Sequence, residues 1–444
     1  MYRVIATLLL LWGGIFVMPA RAGDPQKKGF AYYDKVTYEA YLRGDWKRVV
    51  RAGREALRKE IDYYYLRMRL GIAWYSRKNY DLAIPHFLRA LELSPNDITA
   101  LQYLYYCYLF GGREDDRHAL MHHMPVRVRD EVKAGRLTGL TAFSMETGYF
   151  QNPEDLSGYD SGDLPPEEGV QTLVRRGGEG ALLFTFQVGE NTSIRAGYRY
   201  LTKNRLIHYY DLNDGAVTLT DNTFTQHHLH GALHFRLARG LALDLSFNYL
   251  NLRTPLPAAG YGNRVFLYTV SSHDATTHFT LSKRFPFLSL SAGAGYAGMN
   301  GLQQLQGDGA VFLFPLGNPG LYLGTGITWL SQQGENNRTD LIWSPVAGIR
   351  PFGTLWIELF STFGDMSNYQ GPYGWILYND PNPVRFSAGI NVIYIVPRNG
   401  MTLTLTPSWS QATSYYFLSG DPTPSYQPVD YNMLNLIFGI KWNF

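Results

Sequence analysis

Two hydrophobic periods divide the chain. Past residue 138 apolar and polar positions alternate, most plainly at the end, where Leu434, Leu436, Phe438, Ile440, Trp442 and Phe444 interleave with Asn435, Ile437, Gly439, Lys441 and Asn443. Period two with one apolar face describes a half-buried β-strand. The same parity holds across turns. Val188, Phe186, Phe184 and Leu182 oppose Ile194, Ala196, Tyr198 and Tyr200 around residues 189–193, and Leu237, Phe235 and Leu233 oppose Leu241, Leu243 and Leu245 around Ala238-Arg239-Gly240. Further tight turns fall near Pro286-Phe287, Gly317-Asn318-Pro319-Gly320, Pro351-Phe352-Gly353 and Pro397-Arg398-Asn399-Gly400. Because register fixes which face each residue takes, residues 138–444 read as about fourteen antiparallel strands. The other connections read as long, at 153–178, 205–221, 253–263, 300–308, 331–338, 364–383 and 413–430. Short turns at one end and long connections at the other form the pattern of a transmembrane β-barrel of outer-membrane type, with the short turns periplasmic. The sixth strand breaks phase between Phe266, Tyr268, Val270 and Phe279, Leu281, which predicts a bulge or a strand rising above the membrane.

The N-terminal segment has a different character. Arg3 precedes an apolar run from Ile5 to Val17, and Ala20-Arg21-Ala22 fits a small-residue cleavage site. Residues 1–22 therefore read as a secretory signal peptide, too short to span a bilayer as a helix. No later run approaches the length of a spanning helix. Composition agrees with a barrel. Charged residues are only 17%, aromatics reach 15%, and Gly is 45 of 444. Aromatic girdles, a polar lumen and many turns require that mixture. The single cysteine, Cys107, excludes intrachain disulfides and Cys-based zinc sites.

Between these segments, residues 30–124 repeat with a period of 34: Trp46 falls on Tyr80, Val50 on Ile84, Ala56 on Ala90 and Leu57 on Leu91. That period with helix-length segments is the signature of a tetratricopeptide repeat. Tyr64–Asp97 resembles this family closely, through Leu70-Gly71, Trp74, Tyr80, Ala83, Phe87, Ala90 and Pro95. The preceding repeat keeps Trp46 and Ala56 but has Thr37 where glycine is typical. The following one keeps Leu104 and Tyr108. The resemblance implies a helical solenoid over residues 23–137 whose inner face binds a protein or peptide, with Tyr38, Tyr41, Tyr65, Met68, Tyr75 and Tyr106 on that face. Residues 23–136 carry 21 Lys+Arg against 15 Asp+Glu, and residues 138–444 carry 17 against 22. A basic helical part suits an acidic partner or an anionic leaflet.

The expected barrel interior is polar. Gln226, His228, His230, His234 and Arg236 share one parity, and the register sets His234 opposite Asp244 and His230 opposite Asn248. Arg195, Arg199, His278, Glu358 and Arg385 are further inward candidates. The ladder reads first as a lumenal hydrogen-bond network. Imidazoles in a row also suit a metal, and His234–Asp244 near Ser246 could begin a lipase-like triad. No glycine-rich phosphate loop, paired-Cys metal motif or nucleophile elbow occurs, so no catalytic residue, metal, cofactor or nucleic-acid partner is expected.

The terminal aromatic Phe444 resembles the sorting signal read by the barrel-assembly machinery. A helical repeat fused to such a barrel resembles porins that export polysaccharide and modulators that assemble surface lipoproteins. The expected architecture is an α + β multidomain chain: signal peptide 1–22, helical module 23–137 in the periplasm, and a β-barrel, 138–444, in the bacterial outer membrane. The resemblance implies a non-enzymatic export or assembly factor that handles a polysaccharide or protein. Its partners would be outer-membrane lipids, the assembly machinery and a periplasmic protein or cargo. A passive porin and a barrel-embedded lipid-modifying enzyme are the alternatives.

Overall fold

The computed structural model describes residues 29–154, 168–211, 215–260, 264–333, 337–380, 382–397, 400–418 and 424–444. The signal peptide, Lys27-Lys28 and most acidic residues of the 153–168 connection lie outside them. The chain divides into two compact units, residues 1–62 and 63–444.

The first unit holds helices α1 (Phe30–Leu42) and α2 (Trp46–Arg58). Asp45 caps α2 by accepting from the Arg48 amide at 3.1 Å, satisfying one of the free N–H groups of the first turn. Thr37 is fully buried, and its hydroxyl returns to the Tyr33 carbonyl at 2.7 Å.

The second unit opens with α3 (Tyr64–Ser76), α4 (Tyr80–Leu93), α5 (Ile98–Phe110), α6 (Glu114–His123) and α7 (Val126–Glu131). The repeat is kept to the residue: one helix of each pair starts at 30, 64 and 98, the other at 46, 80 and 114. Asn79 and Asp97 cap α4 and α5 by accepting from the Leu82 and Ala100 amides. Gly71 lets α3 and α4 meet, because a Cβ there would press to 2.7 Å from the Phe87 ring. The third pair has the shortest second helix, α6.

The barrel follows. Its strands are β1 (Gly139–Gln151), β2 (Gly169–Gln187), β3 (Thr192–Asp211), β4 (Gly215–Ala238), β5 (Leu241–Gly260), β6 (Arg264–Phe285), β7 (Leu288–Met299), β8 (Leu302–Leu313), β9 (Leu321–Gln333), β10 (Arg338–Phe352), β11 (Leu355–Phe363), β14 (Val384–Ile395), β15 (Met401–Leu418) and β16 (Pro424–Asn443). These fourteen antiparallel strands close, β1 pairing with β16, as the alternation predicts. The predicted parity holds, and Leu233 opposes Leu245 and His234 opposes Asp244 as expected, while the β2–β3 hairpin is shifted by two residues, with Phe186 and not Val188 opposite Ile194. Outward residues are large and apolar. Trp343, Phe363, Phe386 and Trp409 form a continuous belt with ring centroids 4.9–5.2 Å apart, one girdle of a membrane-spanning barrel.

Several connections differ from expectation. Residues 300–308 do not form a long loop: β7 and β8 join through a two-residue turn at Asn300-Gly301, both with positive φ. At 205–221, 253–263 and 413–430 the length is taken up by strands, which satisfy their own backbone groups by pairing beyond the outward apolar band. The phase break of β6 is not a bulge, because β5 and β6 stay in register from Arg264 to Lys283. Its first half pairs only with β5, since β7 joins it from Ala275 onward. That half extends beyond its neighbour, so the inside–outside rule no longer governs it.

Candidate functional site: a strap inside the barrel

The connection at 364–383 enters the barrel instead of leaving it. It contains a two-strand ladder of β12 (Tyr369–Gln370) and β13 (Leu377–Tyr378) around a single 3-10 turn at Pro372–Gly374. Met366, Ser367, Asn368, Tyr369, Gln370 and Asn379 are buried, which a solvent-exposed loop would not achieve. A buried backbone must find polar partners, and the lumen supplies them. Gln306 donates to the Gln370 carbonyl at 2.7 Å, and Asn379 to Asp274 at 2.7 Å. Asn300 donates to Asn368 and Asn379 at 2.6 and 2.8 Å. Lys203 pairs with Asp380 at 2.8 Å. At Gly374 φ is +73°, and a Cβ would overlap Ser246 Oγ, so only glycine lets the strap lie this close to β5.

The predicted lumenal cluster is where the strap lands. His228 and His230 point inward and share Asn248 Oδ1, at 2.9 and 2.7 Å. Trp375 of the strap lies against both imidazoles, with centroids at 5.7 and 5.1 Å, and Arg199 lies over its ring at 4.8 Å. Arg199 also pairs with Glu179 at 3.0 Å. His234 and Arg195 both reach Asp244, at 3.0 and 2.5 Å. Nearby, His278 pairs with Asp308 at 2.7 Å, and Glu358 accepts from Tyr322 and Asn391. Arg385 instead reaches Tyr415 and is exposed.

The histidine ladder is spoken for by Asn248 and Trp375, and among the described residues no group of three His, Cys, Asp or Glu could hold a metal ion. Ser246 donates to the His278 carbonyl at 3.5 Å, while the second nitrogen of His234 faces Asp115 at 3.0 Å, so the imidazole lies between two carboxylates rather than between a carboxylate and a hydroxyl.

The strap divides the lumen. Toward β1–β3 and β14–β16 a cavity of about 570 Å³ remains. One wall of it is short and polar, with Asn391, Thr406, Ser408 and Asn435. Another is apolar, with Phe150, Ile376, Leu377 and Met433. Its charged lining is Glu146, Glu179, Arg199, Lys203 and Asp380.

The short-turn end meets the helices of the same unit through charge. Asp81 of α4 is fully buried and pairs with Arg284 of β6 at 2.9 Å, with Arg113 at 3.8 Å. Burial is the larger influence on the Asp81 carboxyl and pushes it above its ordinary value in spite of both arginines. Asp116 of α6 takes Arg113 at 2.6 Å, Arg236 at 3.2 Å and the Gly240 amide at 3.1 Å. Asp81 and Asp116 both sit in first turns, where the helix dipole favours anions.

The expected binding face of the helices is only partly a surface. Tyr65 is 64% exposed and Tyr38 48%. Met68 is buried and offers no contact area, because α3 is covered on more than one side, Met68 lying opposite Leu66 and Leu70. Tyr75 is half-buried between Tyr80 and Tyr103, Tyr106 stacks on Phe110, and Tyr41 packs edge-on to Trp46. Phe444 continues the seam of the barrel: its amide donates to the Thr141 carbonyl at 2.9 Å, and Arg136 lies over its ring.

The strap is what sequence reasoning missed. The signal was present, since Met366, Tyr369, Tyr373, Trp375, Ile376, Leu377 and Tyr378 are too apolar for a solvated loop.

A tetratricopeptide-repeat profile matches residues 64–97. No curated protein matches the chain. Among solved structures the barrel is similar to the Pseudomonas putida toluene transporter TodX, at 9% identity and a TM-score of 0.43, over 73% of this chain and 92% of that one. A Pseudomonas aeruginosa FadL homologue matches at 10% identity and a TM-score of 0.37, over 73% and 91%. The translocator domain of the Neisseria meningitidis autotransporter NalP matches at 11% and 0.30, over 76% and 99%. Helical repeats and closed barrel together define the class: a tetratricopeptide-repeat module fused to a β-barrel of the outer-membrane type.

Proposed function

We propose that the chain is a gated transport protein of the bacterial outer membrane, with its helical module in the periplasm as an adaptor for a partner or cargo. One observation carries this reading: the lumen is occupied by a strap of the chain's own sequence, held by polar contacts and leaving a cavity beside it. A passive porin needs an unobstructed lumen, so the strap argues for a barrel that opens on demand. The strap is held by hydrogen bonds and ion pairs, which exchange for water at modest net cost, and by the packing of Met366 and Tyr369 on Ile342 and of Leu377 on Phe224 and Leu250. Polysaccharide or protein export remains the finer reading suggested by the repeat module, whose exposed Tyr65 supplies a contact residue of the type that anchors partners.

The test is conductance of the purified full chain in planar bilayers, with and without residues 366–380 replaced by a short glycine-serine linker. The expected result is a low, flickering wild-type conductance and a large steady one for the replacement. Equal, large, steady conductance from both proteins would make the chain a passive porin.

A further inference from the structure

Helix α6 carries a pair of side chains that neither the strap nor the barrel uses. His118 and His122 stand one turn apart on the same face of the helix. Their Nε2 atoms face each other at 3.2 Å, with ring centroids 5.1 Å apart. The lumenal histidines are arranged differently, since His228 and His230 both turn a nitrogen to Asn248.

An imidazole nitrogen binds zinc at about 2.0–2.1 Å, so two of them on one tetrahedral ion lie about 3.3 Å apart. The two rings of α6 already stand at the spacing of neighbouring ligands. One ring is held in place: His118 is only 9% exposed, and a hydrogen bond with the Leu137 backbone engages it. Bonds of that kind orient metal-binding imidazoles. The other ring gives access, because His122 is only half-buried. It also lies in the last turn of α6, where the helix dipole favours a cation. The nearest positive charge, Arg117, is offset by its pair with Glu114, and it donates to the Tyr105 hydroxyl at 3.0 Å.

We propose that His118 and His122 form an open two-imidazole site for a late divalent transition metal, Cu²⁺ above Zn²⁺. The choice of ion follows from the donors. Paired imidazoles suit copper, nickel and zinc, with copper bound most tightly, whereas magnesium and calcium take oxygen ligands. The chain supplies two positions, in keeping with the lack of a three-donor group among the described residues. The remaining positions take water or a donor from a bound partner. Without metal, one imidazole donates to the other. On binding, the donor ring moves its proton to Nδ1, and both Nε2 lone pairs point at the ion. The metal then ties two successive turns of a 10-residue helix. That helix also sends Asp115 and Asp116 to His234 and Arg236 of the barrel, so the clamp stiffens the element that makes the join.

The test uses the full chain in detergent, carrying a tag without histidine and stripped of metal by a chelator. Cu²⁺ alone is titrated in, with calorimetry for affinity and electron paramagnetic resonance on isotope-labelled histidine for the ligands. The first equivalent should show two imidazole nitrogens, and Zn²⁺ should displace it. His122→Ala should weaken that equivalent about 100-fold, the upper end of what loss of a supporting residue alone costs. His123→Ala, off the shared face, should leave it unchanged. The wild-type spectrum needs no variant, so the site stays open to refutation even where a substitution unsettles α6. Fewer than two imidazole nitrogens on the first equivalent, or an affinity that His122→Ala does not change, would overturn the site.

Discussion

At the scale of single residues, the join between helices and barrel depends on charges out of water. Asp81 and Asp116 are nearly inaccessible, and each is met by two arginines. Removing one member of a buried pair leaves an uncompensated charge and costs about 3–5 kcal/mol, whereas replacing both with apolar residues is often neutral. Arg284→Met alone should therefore loosen the helices, raising proteolysis of residues 63–131 in detergent while heat-modifiable migration shows an intact barrel. Asp81→Leu with Arg284→Met should recover most of the protection. A double variant as labile as the single one would mean that the pair holds α4 by its specific geometry.

Elements show how a local rule becomes a device. The hairpin of β11, strap and β14 is continuous within itself, from Leu355 opposite Tyr394 to Phe363 opposite Phe386. It is bounded on both sides by ladders that a proline interrupts, at Pro345 and at Pro407. At each of those places a side-chain hydrogen bond crosses instead, Ser344 to Thr362 and Thr406 to Asn391. At the other seam, β16 ends in Phe444, whose backbone bonds to both Thr141 and Arg136 close the sheet onto its first strand. Deleting Phe444, or Phe444→Asp, should lower the amount of folded barrel, measured as heat-modifiable protein in membrane fractions. Unchanged amounts would remove the C-terminal residue from any part in assembly.

For the whole molecule, orientation is the open quantity that the sequence pattern addresses. Six short turns lie at one end, and α4 and α6 meet the barrel at that same end, through Gly317, Gly240 and Arg284. With the short turns periplasmic, an epitope tag in the β3–β4 connection at 212–214 should be reached by antibody on intact cells. One at Lys27-Lys28 should be reached only after the outer membrane is opened. Both positions lie outside the described residues. Labelling of the second tag on intact cells would invert the orientation.

The sequence by itself determined the elements. A 34-residue period located the helix pairs, and period-two alternation gave fourteen strands and their facing parity, with the register exact at His234 opposite Asp244 but two residues off in the β2–β3 hairpin. These are local patterns, set by which face of each element must leave water. What fills the lumen was decided only by the tertiary structure. An inward-folding segment and an outward loop begin as the same chain between two strands. The difference lies in partners far away in sequence, such as Asp274 for Asn379 and Gln306 for Gln370. The effect of Pro407 is likewise tertiary: the residue is plain in the sequence, but which neighbour misses its donor depends on the side to which its nitrogen faces in the closed sheet.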